Sequence, residues 1–322
     1  MRAFQLKDYS GPAGLELVDA AEPEPTSDEL LIDVRAIGVN FPDLLMTKGE
    51  YQYRPELPVI PGCEVAGDVV SAPAGSGFTP GDRVAAFAWN GGYAERAAVP
   101  IRSVISIPAS MDHTAAAAMV VNYNTAYFAL GRRGNVRPGQ TVLVLGAGGG
   151  IGTAAVQVAR GMGARVIAGV ADERQRAVAE AAGAPHVLVL QKGFSRAIRE
   201  ITDGRGVDAV VDPLGDWLFD EAVRALGPEG RILVIGFAAG EIPQIKVNRL
   251  LLRNASVVGV AFGAFLDVEP ELMGDQAAEL AKMVEAGAVV PQVGMTFPFA
   301  ELPGALSRLE RSQIPGKGVV VL

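Results

Sequence analysis

Five of the seven residues from Gly146 to Gly152 (GAGGGIG) are glycine, and they lie between two patterns of opposite kind. Before them Thr141–Leu145 (TVLVL) has the β-branched and leucine content of a strand buried on both faces. After them an alanine-rich run, TAAVQVARGMG, reads as a helix. Glycines at a strand-to-helix turn let the backbone bend sharply and come close to a bulky anion, and a helix N-terminus offers unpaired N–H groups and a positive dipole end. The chemistry implied is capture of a pyrophosphate by Gly146, Gly149, Gly150, Ile151 and Gly152. Other reactive side chains are scarce. Two histidines, His113 and His186, and one cysteine, Cys63, cannot assemble a Ser-His-Asp triad, a cysteine-cluster metal site or an internal disulfide. Hydrolase chemistry is thereby disfavoured.

The elements that position the glycine turn follow from periodicity. From Thr141 onward strands alternate with helices, as in a doubly wound parallel sheet. The expected strands are 141–145, 165–170, 186–189, 207–212, 231–235 and 257–260, and helices are expected near 152–161, 173–182, 194–202 and 217–226. Residues 1–110 instead show short strands punctuated by glycine and proline, without a sustained helical period. Asp112 is placed to cap a helix starting at His113. Residues 268–286 read as an amphipathic helix ended by Gly287, followed by short strands down to Lys317–Leu322. The fold class expected is α/β: a β-rich domain plus a Rossmann doubly wound domain. The boundaries are 1–121, 122–260 for the nucleotide domain, and a return segment 261–322 that completes the first domain.

A chain of 322 residues with 49% hydrophobic and 20% charged residues is globular, with length for two cores. A formal net charge of −8 disfavours nucleic acid or an anionic membrane as partner. The opening Met1–Lys7 reads as a first strand rather than a leader, and no apolar run is long enough to span a bilayer, so the expectation is cytoplasmic.

Three further stretches carry a resemblance. They are Gly38-Val39-Asn40-Phe41-Pro42-Asp43 with Gly49-Glu50-Tyr51, then Pro58–Gly67 around Cys63-Glu64, then Val121–Tyr127 with Thr125. Together with the glycine loop they resemble the medium-chain dehydrogenase/reductase superfamily, specifically its zinc-independent quinone oxidoreductase branch, over essentially the whole chain. The resemblance implies a GroES-like fold for the first domain. It also marks departures: the zinc alcohol dehydrogenases carry a catalytic cysteine at the position of Asn40 and a histidine at that of Cys63, and four closely spaced structural cysteines are missing here. No metal site is expected, and Cys63 reads as a small buried apolar residue. Without a Lewis acid, acceptors already activated for hydride are the better substrates: quinones, or alkenes conjugated to a carbonyl.

By the same resemblance Asn40 lies near nicotinamide and substrate and can donate a side-chain N–H, although Asn and Asp beside proline also serve plain turns; Asp43 reads as holding its loop. Tyr51 stands where related enoyl-thioester reductases carry a tyrosine proposed to protonate the reduced product, and it reads equally as a packing aromatic. Thr125 is placed against the nicotinamide, in a segment expected to line the cleft at the join. NAD-dependent relatives carry an acidic residue at the position of Val170, which cannot bind ribose hydroxyls. The cofactor expected is therefore NADPH, with Ala171 and Arg174 at the strand end and NADH the less favoured alternative. Asp172 could still take the ribose role, and Arg174 and Arg176 could be ordinary solvated residues. Further strand ends place Asp212, Phe237 and Phe262 at the cofactor, and Lys317 lies either near it or in solvent. The last strand of the parallel sheet is apolar on both faces, which suggests pairing with a second copy as a homodimer. The function expected is zinc-independent, NADPH-dependent hydride transfer to a small-molecule quinone. The alternatives are an enoyl-thioester or 2-alkenal reductase and, in another class, a non-catalytic NADPH-binding protein.

Overall fold

The computed structural model describes residues 1–322, which form two compact units. The first comprises Met1–Val121, Pro270–Ala277 and Val293–Leu322; the second comprises Asn122–Glu269 and Ala278–Gln292. The return segment expected over 261–322 therefore divides between them.

In chain order the first unit opens with β1 (Arg2–Leu6), β2 (Leu15–Asp19), β3 (Glu29–Val39), α1 (Phe41–Thr47), β4 (Glu64–Ser71), β5 (Arg83–Phe87), β6 (Arg96–Pro100), β7 (Val104–Ser106) and α2 (His113–Ala116). The boundary falls within α3 (Val120–Tyr127). Next come β8 (Thr141–Leu145), α4 (Gly150–Gly161), β9 (Arg165–Val170), α5 (Arg176–Ala181), β10 (His186–Val189), α6 (Phe194–Ile201), β11 (Val207–Asp212), α7 (Asp216–Ala225), β12 (Leu226–Val234), α8 (Asn248–Leu251), β13 (Ser256–Gly259) and α9 (Phe262–Phe265). After α10 (Leu272–Glu285), the elements β14 (Val293–Pro298), α11 (Leu302–Glu310) and β15 (Lys317–Val321) return to the first unit.

The second unit is a six-stranded parallel sheet in the order β10-β9-β8-β11-β12-β13. This is the doubly wound arrangement, in which the order reverses beside the first strand and ligands bind beyond the carboxyl ends. All five residues of β8 and all six of β11 are buried, which is why β8 is a nearly continuous apolar run and β11 is apolar except for Asp208 and Asp212. Leu143, Ile167, Val210 and Ile232 from four strands pack with Phe194, Ile198, Leu218 and Phe219 from α6 and α7.

In the first unit β15 lies between β14 and β3, antiparallel to β3 and parallel to β14, and the sheet continues through β4, β5 and β7 with β6 also on β3. Its core gathers Phe4, Ile32, Ile37, Leu44, Val65, Val84, Phe297 and Leu306. Two expectations are corrected here. A helix, α1, occupies Phe41–Thr47 within the stretch read as short strands without a sustained helical period; Pro42 in its first turn and the Asp43 carboxylate, which accepts from the Asn40 N–H at 3.2 Å, start it. The long helix expected over 268–286 starts only at Leu272, after Pro270, and Phe262–Phe265 forms a separate turn whose rings pack on Phe128.

Candidate active site

The glycine turn is built as its composition demands. Gly146 ends β8 with φ +65° and Gly149 caps α4 without any side-chain bond, leaving the first-turn N–H groups of Gly150, Ile151 and Gly152 open to an anion. A Cβ on Gly152 would overlap the Gly146 carbonyl, so only glycine lets the helix start this close to the strand. At the end of β9, Ala171 donates its N–H to Gln175 Oε1 at 3.3 Å. Asp172 is fully engaged: Oδ1 accepts from the N–H groups of Arg174 and Gln175, and Oδ2 from Arg174 Nε and Nη2 at 3.1 and 2.5 Å. The Arg174 side chain is 91% exposed and Arg176 is held by Glu173. An aspartate used in this way as a cap is poorly placed to hold ribose hydroxyls, and an exposed guanidinium beside it suits a phosphate.

At the end of β11 the buried Asp212 takes the N–H groups of Leu214 and Gly215 on Oδ1, both at 2.9 Å, while Oδ2 has no partner. Burial pushes its carboxyl up. The exposed ring of Phe237 lies near Gly215, at the same edge of the sheet. The ring of Phe262 does not: it is buried 6.0 Å from that of Phe128, so any contact it makes with a ligand is through its backbone.

In the first unit the candidate residues converge on a buried polar cluster. Lys317, the first residue of β15, is 4% exposed, Glu64 0% and Asn40 3%. Lys317 Nζ lies 2.7 Å from Glu64 Oε2 and also donates to Asn40 Oδ1. Asn40 Nδ2 donates to Glu64 Oε2 at 3.1 Å and to the Gly38 carbonyl at 3.2 Å. Glu64 Oε1 accepts from Val121 N–H at 2.7 Å, at the start of the helix that carries the half-buried Thr125. Gly38 is obligatory, because a Cβ there would overlap both Glu64 Oε2 and the Ala117 carbonyl.

This geometry changes two expectations. Both amide protons of Asn40 are engaged within the cluster, so it is not free to donate to a substrate. Lys317 is neither solvated nor directed to an exposed cofactor surface; it is the cation of a buried pair. Beneath them Asp43 accepts from the Cys63 N–H at 3.1 Å as well as from Asn40. Burial pushes its carboxyl up to about 6 against those bonds and the nearby Lys317. The buried Cys63 thiol is pushed well up by burial and by Asp43 and Glu64, which makes it inert. The Tyr93 hydroxyl is buried beside Asp43, and burial and then Asp43 push its phenol well up.

Tyr51 is half-buried, and its phenol is pushed up to about 12 by burial and then by Cys63 and Asp43. It is therefore a neutral donor throughout the physiological range. Its ring centroid lies 6.1 Å from that of Trp89, which also packs on Tyr53 at 5.3 Å and Phe87 at 5.1 Å; Asn90 pins the Tyr53 hydroxyl at 2.8 Å. Sequence reasoning missed the roles of Glu64, Tyr93 and Trp89. A charged residue opening each of two mainly apolar strands, Glu64 before Val-Ala and Lys317 before Gly-Val-Val-Val, was the available signal for the ion pair.

Residues 26–109 match the family model of the alcohol dehydrogenase GroES-like domain, and residues 150–282 that of the zinc-binding dehydrogenases. The quinone oxidoreductase-like protein 2 homolog of Nematostella vectensis is 33% identical over 99% of this chain and 88% of its own length. The chain belongs to the quinone oxidoreductase branch of the medium-chain dehydrogenase/reductase superfamily. Among solved structures, a probable oxidoreductase from Mycobacterium abscessus is 48% identical with a TM-score of 0.92, covering 100% of this chain and 99% of its own. Mycobacterial Rv1454c, solved in complex with NADPH, is 32% identical with a TM-score of 0.93 over the whole of both chains.

Zinc, which the second family model's description carries, does not fit the residues of this superfamily member. No three His, Cys, Asp or Glu side chains converge. Glu64 is already neutralised by an ammonium, and Cys63 is held as a thiol where zinc requires thiolate.

Proposed function

We propose that the protein is an NADPH-dependent, zinc-independent oxidoreductase that reduces a quinone. NADPH supplies the hydride when bound. The residues present fit it: the open N–H groups of α4 hold the pyrophosphate, Arg174 holds the 2′-phosphate, and the unpaired Asp212 oxygen offers an acceptor at the same edge of the sheet. Ala171, Phe237 and Phe262 contribute backbone and shape. On the substrate side Tyr51 donates a hydrogen bond to the oxygen on which negative charge builds, and Thr125 contributes its hydroxyl. Asn40 and Lys317 act as positioning residues that hold the polar cluster in one arrangement.

The observation that carries this reading is the closed Lys317–Asn40–Glu64 cluster. It sets the Lys317 side chain, rather than an exchangeable Lewis acid, beside the residue at the zinc-ligand position of the alcohol dehydrogenases. Such a site favours an acceptor that already carries its own electrophilic carbonyls. One feature favours a second reading, 2-alkenal or enoyl-thioester reduction: the Tyr51 hydroxyl makes no bond within the protein and is available as a proton donor.

The same reading makes the protein a homodimer paired along β13, the edge strand. Val257 on it and Val247, Leu251 and Leu252 beside it are exposed, the last two at 75% and 79%. We place it in the cytoplasm, where a reduced thiol such as Cys63 persists.

The test is NADPH and NADH oxidation by chelator-treated protein with a small naphthoquinone and with a 2-enal. Metal-independent turnover that favours NADPH and the quinone supports the reading. Activity lost with the metal overturns it, and a preference for the 2-enal transfers the assignment to the second reading.

A further inference from the structure

At the amino-terminal edge of the parallel sheet, opposite the edge where Gly146 and Asp212 lie, two arginines from distant parts of the second unit reach the same two carbonyl groups. Arg199 on α6 donates Nη2 to Arg224 O at 2.9 Å and to Leu226 O at 3.1 Å, and Nη1 to Gly204 O at 2.9 Å. Arg253, between α8 and β13, donates Nη1 to Leu226 O and to Arg224 O at 3.4 Å. Sharing two acceptors forces the guanidinium groups against each other.

Neither has a carboxylate. Three acids on the neighbouring elements are each paired with another arginine: Asp208 with Arg205, Glu221 with Arg224 and Asp220 with Arg249. The carbonyls at the end of α7 satisfy some N–H groups but bring no full charge, so two half-buried like charges stand side by side without an ion-pair partner. Burial and the charges of Arg199 and Arg249 push the Arg253 guanidinium below its ordinary value, the direction that marks an unrelieved cation.

Arg199 and Arg253 line an open recess of about 440 Å³ with Arg205, Asn254, Pro228 and Leu226. No acidic residue lines it, although the chain carries eight net negative charges. Arg253 uses only Nη1, so the edge bearing Nε–H and Nη2–H makes no bond within the protein. That edge is the one that grips an oxyanion with two parallel hydrogen bonds.

We propose that this recess is a second binding site, for a small phosphate-type oxyanion gripped side-on by Arg253 and neutralised jointly by Arg199. Strands of six residues at about 3.3 Å each put it roughly 20 Å from the glycine turn, so it does not compete for the cofactor's pyrophosphate.

The probe is inorganic pyrophosphate, titrated calorimetrically into full-length protein saturated with NADPH, against sodium chloride at matched ionic strength. One saturable site per chain is expected. Arg253→Gln should weaken it about tenfold or more, the loss of one charge-assisted bidentate contact. Arg253→Lys, which keeps the charge but not the fork, should weaken it to a lesser degree. Arg196→Gln, on an exposed arginine of the same helix, should leave it unchanged. If Arg253→Gln fails to fold, Arg253→Lys and Arg199→Gln carry the test. The proposal is overturned by absence of saturable binding, by an equal response to sodium chloride, or by affinity indifferent to the folded Arg253 and Arg199 variants.

Discussion

Lys317 Nζ sits 2.7 Å from Glu64 Oε2 with both side chains withdrawn from solvent, and the same ammonium donates to the amide oxygen of Asn40. Removing one partner from such a pair leaves an uncompensated buried charge. Lys317→Met should therefore lower unfolding stability by about 3–5 kcal/mol. Adding Glu64→Gln should recover part of that loss, because the pair is then neutral. Urea unfolding of wild type and the two variants checks this; a double variant no more stable than Lys317→Met would mean that packing, not charge, sets the loss.

Asp43 gives stability a pH dependence of known sign. Its carboxyl is pushed up to about 6 in the folded chain, from a reference value near 3.8. Between these values the folded state binds more protons than the unfolded state, so this group's contribution falls as pH rises from about 4 to about 6 and is level above. The size is about 3 kcal/mol for a shift of roughly two units. Other carboxylates slope the opposite way, so the measurement is the difference between wild type and Asp43→Asn across pH 4 to 8. Wild type should lose ground to the variant over the lower half of that range; parallel curves would remove Asp43 as the titrating group.

Tyr51 stays protonated well above neutral pH, because burial and then Cys63 and Asp43 push its phenol up to about 12. Tyr51→Phe should lower kcat by about 10²-fold if the hydroxyl hands on a proton, the lower bound for a positioned acid. No ionisation of this residue should appear in the wild-type rate profile up to pH 10. A falling limb below pH 10 that vanishes in Tyr51→Phe would contradict the shift.

Arg174 is exposed and tied only to Asp172. Arg174→Gln should raise KM for NADPH roughly tenfold, the equivalent of one charge-assisted contact, and leave KM for NADH nearly unchanged. An equal effect on both cofactors would move the 2′-phosphate contact elsewhere.

The nucleotide-binding unit was legible because its signals are local. The apolar run of β8, the glycines after it and the alternation of strand with helix are patterns within a few dozen residues, and each reappears in the sheet order. Phe41–Thr47 was not legible because two helical turns opening on Phe-Pro show too little periodicity to separate from a loop. The polar cluster was hidden for another reason. Asn40 and Lys317 are 277 residues apart, and no pattern at either end states that β15 will lie against β3. Asn40, Tyr51 and Lys317 could be singled out by residue type and resemblance, whereas which protons of Asn40 remained free depended on a neighbour that only the tertiary structure supplies.

The insertion of β15 between β14 and β3 also sets an order of events during synthesis. All six strands of the parallel sheet have left the ribosome before residues 317–321 are made, so that unit can close while translation continues. The first unit cannot. One edge of β3 and the buried carboxylate of Glu64 wait for a strand and a cation made more than 200 residues later, and during that interval the nascent chain presents an open sheet edge to its surroundings. Dependence on chaperones during production should therefore concentrate in the first unit.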